Sequence, residues 1–274
     1  MSVKTGYTAV TIGAWRGWGC GPARAEGFQT RLKNLLREVG GATLPSGRDH
    51  RVYPLTWSGR TYFVKHYQVL TFKSRLQCGL GCSKAHKAWR YARILRRAGI
   101  STPRAVAYLQ QGFWLGAPEQ LLITEGVSGT TLRERVREPL PLPARRRLIK
   151  ALARFLARIH DTGIYHGDFS AFNILVAETD GDPLGWKIHL IDLDAIRTVK
   201  HISRRRQIKN LDELGRNFTR LAEVSVMDRL RFLHHYVKAR QRLWTDLPAL
   251  KTVVCRRTAA RMRTYGKRFI APDP

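Results

Sequence analysis

The sequence predicts an α+β fold of two lobes, a small β-rich lobe followed by a larger helical one, and three observations carry that prediction. β-branched and aromatic runs joined by a Ser-Gly turn lie in the first half of the chain. Apolar stripes at helical spacing lie in the second half. Between two apolar runs of that half sits a polar turn, "IYHGDFSAFNIL", holding His166, Asp168 and Asn173. No internal repeat or long low-complexity linker interrupts the pattern.

Residues 1–27 are rich in Gly and Trp without a clear period and read as an irregular leader or a lipid-facing arm. "FQTRLKNLLREVGG" places Phe28, Leu32, Leu35 and Leu36 on one helical face and stops at Gly40-Gly41. "HRVYPLTW" and "TYFVKHYQVL" are antiparallel strands joined at Ser58-Gly59. "SKAHKAWRYARILRRAGI" is a helix with Ala85, Trp89, Ala92 and Leu95 inward, and "LLITEG" is a buried strand ending at a turn. In "PARRRLIKALARFLARIHDTG" the stripe Leu148, Leu152, Phe155, Leu156 and Ile159 is core, opened by Pro143 and closed by Gly163. "WKIHLIDLDAI" reads as a short buried strand carrying two aspartates, and the chain from about Ser203 reads as helical and basic. The expected divisions are 1–41 (leader and first helix), 42–126 (small lobe) and 127–274 (large lobe).

Charge limits the partners. The 274 residues hold 49 Lys and Arg against 20 Asp and Glu, a formal balance of +29, while 43% hydrophobic residues suffice for a globular core. Such an excess suits nucleic acid, an anionic membrane surface or a phosphorylated substrate; solubility alone is the bland alternative. No aromatic-interleaved basic motif or helix-turn-helix pattern is present, which argues against nucleic acid. Cys78 and Cys82 with His86 fall short of a zinc ligand set, so the cysteines read as structural or free thiols. The N-terminus has no lysine-led apolar core of signal-peptide length, and no apolar run approaches the roughly 18 residues of a membrane span. A cytoplasmic protein is expected.

Four residues are costly where they stand: Lys65 inside an apolar strand, Asp168 and Asn173 in the turn, and Asp192 after a later strand. Their order suits phosphoryl transfer. Asp168 would orient an attacking hydroxyl and accept its proton, Asn173 and Asp192 would offer oxygens to Mg²⁺, and Lys65 would neutralise nucleotide phosphates. Asp194 is the second candidate beside Asp192, since strand alternation sends both to one face. Asp161 reads as a solvated helix-end group, and Trp15 and Trp18 as core residues with a membrane-interface role as the alternative.

"HGDFSAFN" followed by "IDLD" resembles the catalytic loop and metal-binding aspartate of the protein-kinase-like superfamily. Together, "GRDHRVYPLTWSGRTYFVKHY", "AWRYARILRRAGISTP" and "HGDFSAFNILV" with "LIDLDAIR" resemble the lipopolysaccharide kinase family, from about Gly47 to Arg216. That resemblance implies a protein-kinase-like fold, ATP and Mg²⁺, and phosphorylation of inner-core heptose or Kdo on a lipid A-core glycolipid. It places the protein at the cytoplasmic face of the inner membrane, held by the anionic surface. It supports the four roles above, with His166 bracing the turn rather than transferring protons. Gly47 and the backbone around Arg48, in a hairpin without a full G-x-G-x-x-G, would either approach the nucleotide phosphates or simply turn the chain, and the Glu125 and Gly126 backbone is expected at adenine.

The pattern departs from its relatives in one place. Where kinases set a glutamate on the small-lobe helix, this chain has Ala88, and between Asp49 and Glu119 there are twelve Lys and Arg and no acid. A small-molecule kinase resembling aminoglycoside or choline phosphotransferases, a protein kinase, and a nucleotide-binding pseudokinase scaffold are the alternatives. The oligomeric state is left open.

Overall fold

The computed structural model describes residues 6–39, 50–68, 76, 78, 83–112, 118–218, 223–240, 250, 252–254 and 256. The chain divides into two compact units, Met1–Val127 and Ser128–Pro274.

The first unit is built on a six-stranded antiparallel sheet of order β1-β2-β5-β6-β4-β3. Its strands are β1 (Thr8–Ile12), β2 (Trp15–Gly19), β3 (His50–Trp57), β4 (Arg60–Gln68), β5 (Ala105–Gln111) and β6 (Glu119–Glu125). The β3–β4 hairpin turns at Ser58 and Gly59, both at positive φ (48° and 69°), the pair of left-handed residues that a tight hairpin needs.

The expected leader is corrected here. Residues 8–19 form a hairpin, and β2 pairs with β5 through Arg16 and Gln110 to Gly19 and Ala107. Val10, Ile12 and Trp15 turn into the core, while Trp18 is half exposed. A strand with two glycines carries no readable propensity, yet Gly17 is required. A Cβ there would stand 2.0 Å from the Tyr108 carbonyl oxygen, so only glycine lets the neighbouring backbone approach.

Helix α1 (Glu26–Val39) buries Phe28 and Leu32 among Leu55, Tyr62 and Val64, with the Phe28 ring edge-on to Tyr62 at 5.2 Å. Helix α2 (Lys84–Arg97) is capped by the Ser83 hydroxyl, which accepts from the His86 N–H at 3.2 Å. It buries Ala85, Ala88, Trp89, Ala92 and Leu95 and packs on β5 and β6, the three alanines letting it lie close.

The second unit centres on α4 (Leu142–Asp161), whose buried face holds Leu148, Leu152, Phe155, Leu156 and Ile159. Gly163 follows it at φ +71°, where a Cβ would meet the Val199 carbonyl oxygen at 2.2 Å. Around α4 stand α3 (Leu132–Arg135), α5 (Arg204–Phe218) and α6 (Val226–Ala239). Two small antiparallel sheets complete the unit: β7 (Thr130–Thr131) with β9 (Ile174–Glu178) and β10 (Trp186–Leu190), and β8 (Ile164–His166) with β11 (Ile196–Thr198).

Candidate active site

The turn between β8 and β9 is stitched from its own backbone. Asp168 N–H donates to His166 Nδ1 at 3.2 Å, Ser170 N–H to the Asp168 carbonyl at 3.0 Å, and Asn173 N–H to the Ser170 carbonyl at 3.1 Å. The Asn173 amide nitrogen then donates both to the Asp168 carbonyl, at 2.9 Å, and to its Oδ2, at 3.0 Å. Asp168 itself is exposed and Asn173 buried. With its nitrogen spent on Asp168, Asn173 keeps its Oδ1 as an acceptor.

Asp192 reaches the same cluster by a backbone route. Ile191 N–H donates to the Asn173 carbonyl at 2.9 Å, and Gly167 N–H to the Ala195 carbonyl at 3.1 Å. A Cβ on Gly167 would lie 2.8 Å from that oxygen, so this glycine permits the crossing. The extended strand through both aspartates is corrected: β10 ends at Leu190, Asp192 adopts the left-handed conformation (φ 56°, ψ 68°), and Asp194 lies in the one-turn helix Leu193–Ala195. Strand alternation therefore does not relate the two. A non-glycine residue held there costs about 1–2 kcal/mol, an expense typical of functional turns.

His166 is fully buried and its ring packs edge-on to Phe169 at 6.0 Å between centroids. Burial pushes its pKa down, opposed by the Asp192 and Asp168 carboxylates and by contacts to the Asp192 and Ile191 backbone. A neutral, enclosed imidazole that accepts from the Asp168 N–H is a brace for the turn.

Sequence reasoning missed the second brace, on α5. Asn210 Nδ2 donates to the His166 carbonyl at 2.5 Å and to Glu213 Oε2 at 3.2 Å, and its Oδ1 meets His160 Nε2 at 3.1 Å. Glu213 Oε2 accepts from Phe169 N–H at 3.3 Å, and Asn217 Oδ1 from Ala171 N–H at 2.5 Å. Burial raises the Glu213 pKa, and its bonds to Phe169 N–H and Asn210 pull the other way. The available signal was polar residues at 210, 213 and 217, one face of a helix whose inner side should have been apolar.

Lys65 belongs to the other unit. It stands on β4 in register with Leu122, and Leu122 with Tyr108, the row against which Trp89 of α2 packs at 6.1 Å. Its Nζ lies 5.1 Å from the Tyr67 ring centroid. Helix α2 carries no carboxylate, and Ala88 is buried. Aromatic packing secures the helix instead: Trp89 contacts Tyr7 and His86 at 5.6 and 5.7 Å, and the Arg93 guanidinium covers both Trp89 and Tyr7 at 4.6 and 5.0 Å.

Glu125 N–H donates to the Arg104 carbonyl at 2.9 Å and Gly126 N–H to the Thr61 carbonyl at 2.8 Å. The Glu125 carboxylate pairs with Arg104 at 3.2 Å. Both N–H groups are therefore engaged within the first unit. Gly47 and Arg48 lie outside the described residues.

The groups that could hold a metal are Asn173 Oδ1 and the Asp192 carboxylate. Among the described residues no group of three or more His, Cys, Asp or Glu gathers elsewhere. Two hard oxygen side chains fit Mg²⁺, which keeps waters and takes further ligands from phosphates.

Residues 35–236 match the model of the lipopolysaccharide kinase (Kdo/WaaP) family. The chain belongs to that family. It is similar to the lipopolysaccharide core heptose(I) kinase WaaP of Pseudomonas aeruginosa, 29% identical over 195 residues, covering 66% of this chain and 70% of that protein. A second relative is the KEOPS complex subunit Bud32 of Pyrococcus abyssi, 26% identical over 129 residues, covering 46% of this chain and 52% of that one. The fold is similar to that of WaaP solved in complex with acyl carrier protein, with a TM-score of 0.61 and 24% identity over 83% of this chain and 91% of that one. This member of the family is thus a phosphotransferase with a kinase-like fold.

Proposed function

We propose that this chain transfers the γ-phosphate of ATP to a heptose hydroxyl of the lipopolysaccharide inner core, with Mg²⁺ at Asn173 and Asp192. The observation that carries the proposal is Asn173, whose side-chain nitrogen donates to Asp168 Oδ2 at 3.0 Å and whose backbone carbonyl accepts from the N–H of Ile191, the residue before Asp192, at 2.9 Å. Heptose rather than Kdo is favoured by the Pseudomonas relative's own designation.

Asp168 orients the acceptor hydroxyl and takes its proton as the oxygen attacks phosphorus. The Asn173 nitrogen holds the Asp168 carboxylate in place, and neutral His166 holds the backbone of the turn. Lys65 offsets nucleotide phosphate charge, and the segment around Gly47 and Arg48 is assigned to the phosphates as well. When bound, Mg²⁺ neutralises charge on the transferring group. The protein acts at the cytoplasmic face of the inner membrane; among the described residues no helix is long and apolar enough to cross a membrane.

An acyl carrier protein is a further proposed partner. The second unit contains an apolar cavity of about 340 Å³ lined by Leu148, Leu152, Leu211, Leu214 and Phe218 among others, suited to a fatty chain. Leu214→Trp should abolish the preference for acylated over unacylated carrier; equal capture of both by the native chain would remove the cavity's role, and capture of neither would remove this partner.

The decisive assay supplies labelled ATP, Mg²⁺ and core lipopolysaccharide lacking phosphate, then maps the labelled sugar. Label on heptose is expected. Asp168→Asn keeps an acceptor for Asn173 and should lower kcat by about 10²–10⁴ without changing the melting temperature. Label on Kdo or on peptide would replace the proposed acceptor.

A further inference from the structure

Helices α4 and α6 pack against each other and are pinned by ion pairs at two places. Arg145 meets Asp228 at 2.5 Å, beside the α6 capping box of Ser225, and Arg240 meets Asp161 at 2.5 Å just beyond the other end of α6. Between the pins a groove of about 280 Å³ is lined by Lys150, Arg154, His234, His235, Lys238 and Ala239. Five of these six side chains are basic and none is acidic. Among the described residues, Lys150, Arg154 and Lys238 form no ion pair.

The contrast with the pins is informative. Where the two helices need a cross-link, an acid is provided; in the groove, cations face cations. Asp161 is the only acid in the whole of α4. Like charges facing one another repel, and every such repulsion favours one multivalent anion entering the groove. His235 registers the field: burial first, then His234, Lys150, Arg154 and Lys238, hold its pKa below the ordinary imidazole value. A second feature marks the same helix pair. Leu142 at the start of α4, and Val226 and Met227 at the start of α6, are 52%, 62% and 54% exposed. Cations together with exposed apolar side chains match the headgroup and acyl boundary of a lipid surface.

We propose that the α4–α6 groove is a phosphate site that seats the headgroup of an anionic phospholipid and docks the larger unit on the bilayer. This rests on the membrane-surface part of the function proposed above. Its readout is binding rather than phosphotransfer, so the two fail separately. A chain of charge +29 adheres to any anionic surface, so the test must separate the groove from net charge.

The full chain is sedimented with phosphatidylcholine vesicles with and without phosphatidylglycerol. The triple variant Lys150→Glu, Arg154→Glu, Lys238→Glu is compared with Arg31→Glu, Arg90→Glu, Arg97→Glu, which makes the same charge change at exposed residues of the other unit. Three headgroup contacts at about 1 kcal/mol each predict a loss of at least about a hundredfold for the groove variant. The control should lose only a few-fold. Equal losses, or no loss from the groove variant, would overturn the proposal. In parallel, His235 is titrated by NMR in the native chain, a measurement that does not depend on any variant folding. Its pKa should rise on adding vesicles that contain phosphatidylglycerol. A rise with inorganic pyrophosphate but none with vesicles would leave a soluble phosphate as the ligand and overturn the lipid assignment.

Discussion

Asn210→Ala tests the claim that α5 holds the turn that carries Asp168. The side chain is fully buried and serves three partners: the His166 carbonyl at 2.5 Å, Glu213 at 3.2 Å and His160 at 3.1 Å. Glu213 keeps the Phe169 N–H after truncation, whereas the His166 carbonyl and His160 Nε2 lose these bonds. An orphaned buried group costs about 1–3 kcal/mol, so the variant should be destabilised by about 3 kcal/mol in urea unfolding. The turn that presents Asp168 loses a tether at His166, and kcat should fall about tenfold to a hundredfold while KM for ATP moves little. Asn210→Asp isolates the donor half of the interaction. It should be no better than alanine at neutral pH, because it sets a second carboxylate beside Glu213. A variant Asn210→Ala within about 0.5 kcal/mol of the parent and with unchanged kcat would refute the reasoning.

Three further outcomes are expected. Gly163→Ala should cost about 3 kcal/mol in urea unfolding, since the residue sits at φ +71° and its new Cβ would strike the Val199 carbonyl oxygen at 2.2 Å. His160, buried and near Arg240, has its pKa pulled from 6.5 down to about 3, so the native state resists a proton that the unfolded chain accepts. Stability should therefore fall as pH drops from about 6.5 towards 3, by up to about 5 kcal/mol from this group, and His160→Gln should flatten that slope in pH-dependent unfolding. Ala88→Glu restores the carboxylate usual in kinases at a position 1% exposed and should destabilise by about 3 kcal/mol without raising kcat. A gain in activity with stability intact would mean that aromatic packing does not replace the ion pair on α2.

The amino-acid sequence alone determined the helices and the class of reaction. The stripe from Leu148 to Ile159 repeats at local spacing, and local spacing is what a helix obeys, so α1, α2 and α4 were legible within a residue or two of their ends. The β3–β4 hairpin was legible because its turn residues sit beside its strands. Asp168, Asn173 and Asp192 stood out because polar groups next to apolar runs are expensive wherever they are found. Tertiary structure decided the rest. The pairing of β1 and β2 into the sheet depends on β5, about ninety residues on, and Gly17 has a purpose only once the Tyr108 backbone lies against it. Asp192 left its strand because a left-handed turn brings the following backbone across Gly167. Asn210, Glu213 and Asn217 acquired meaning only when their helix was laid under the turn. A hydrogen bond between distant segments has no period, and no local pattern can announce it.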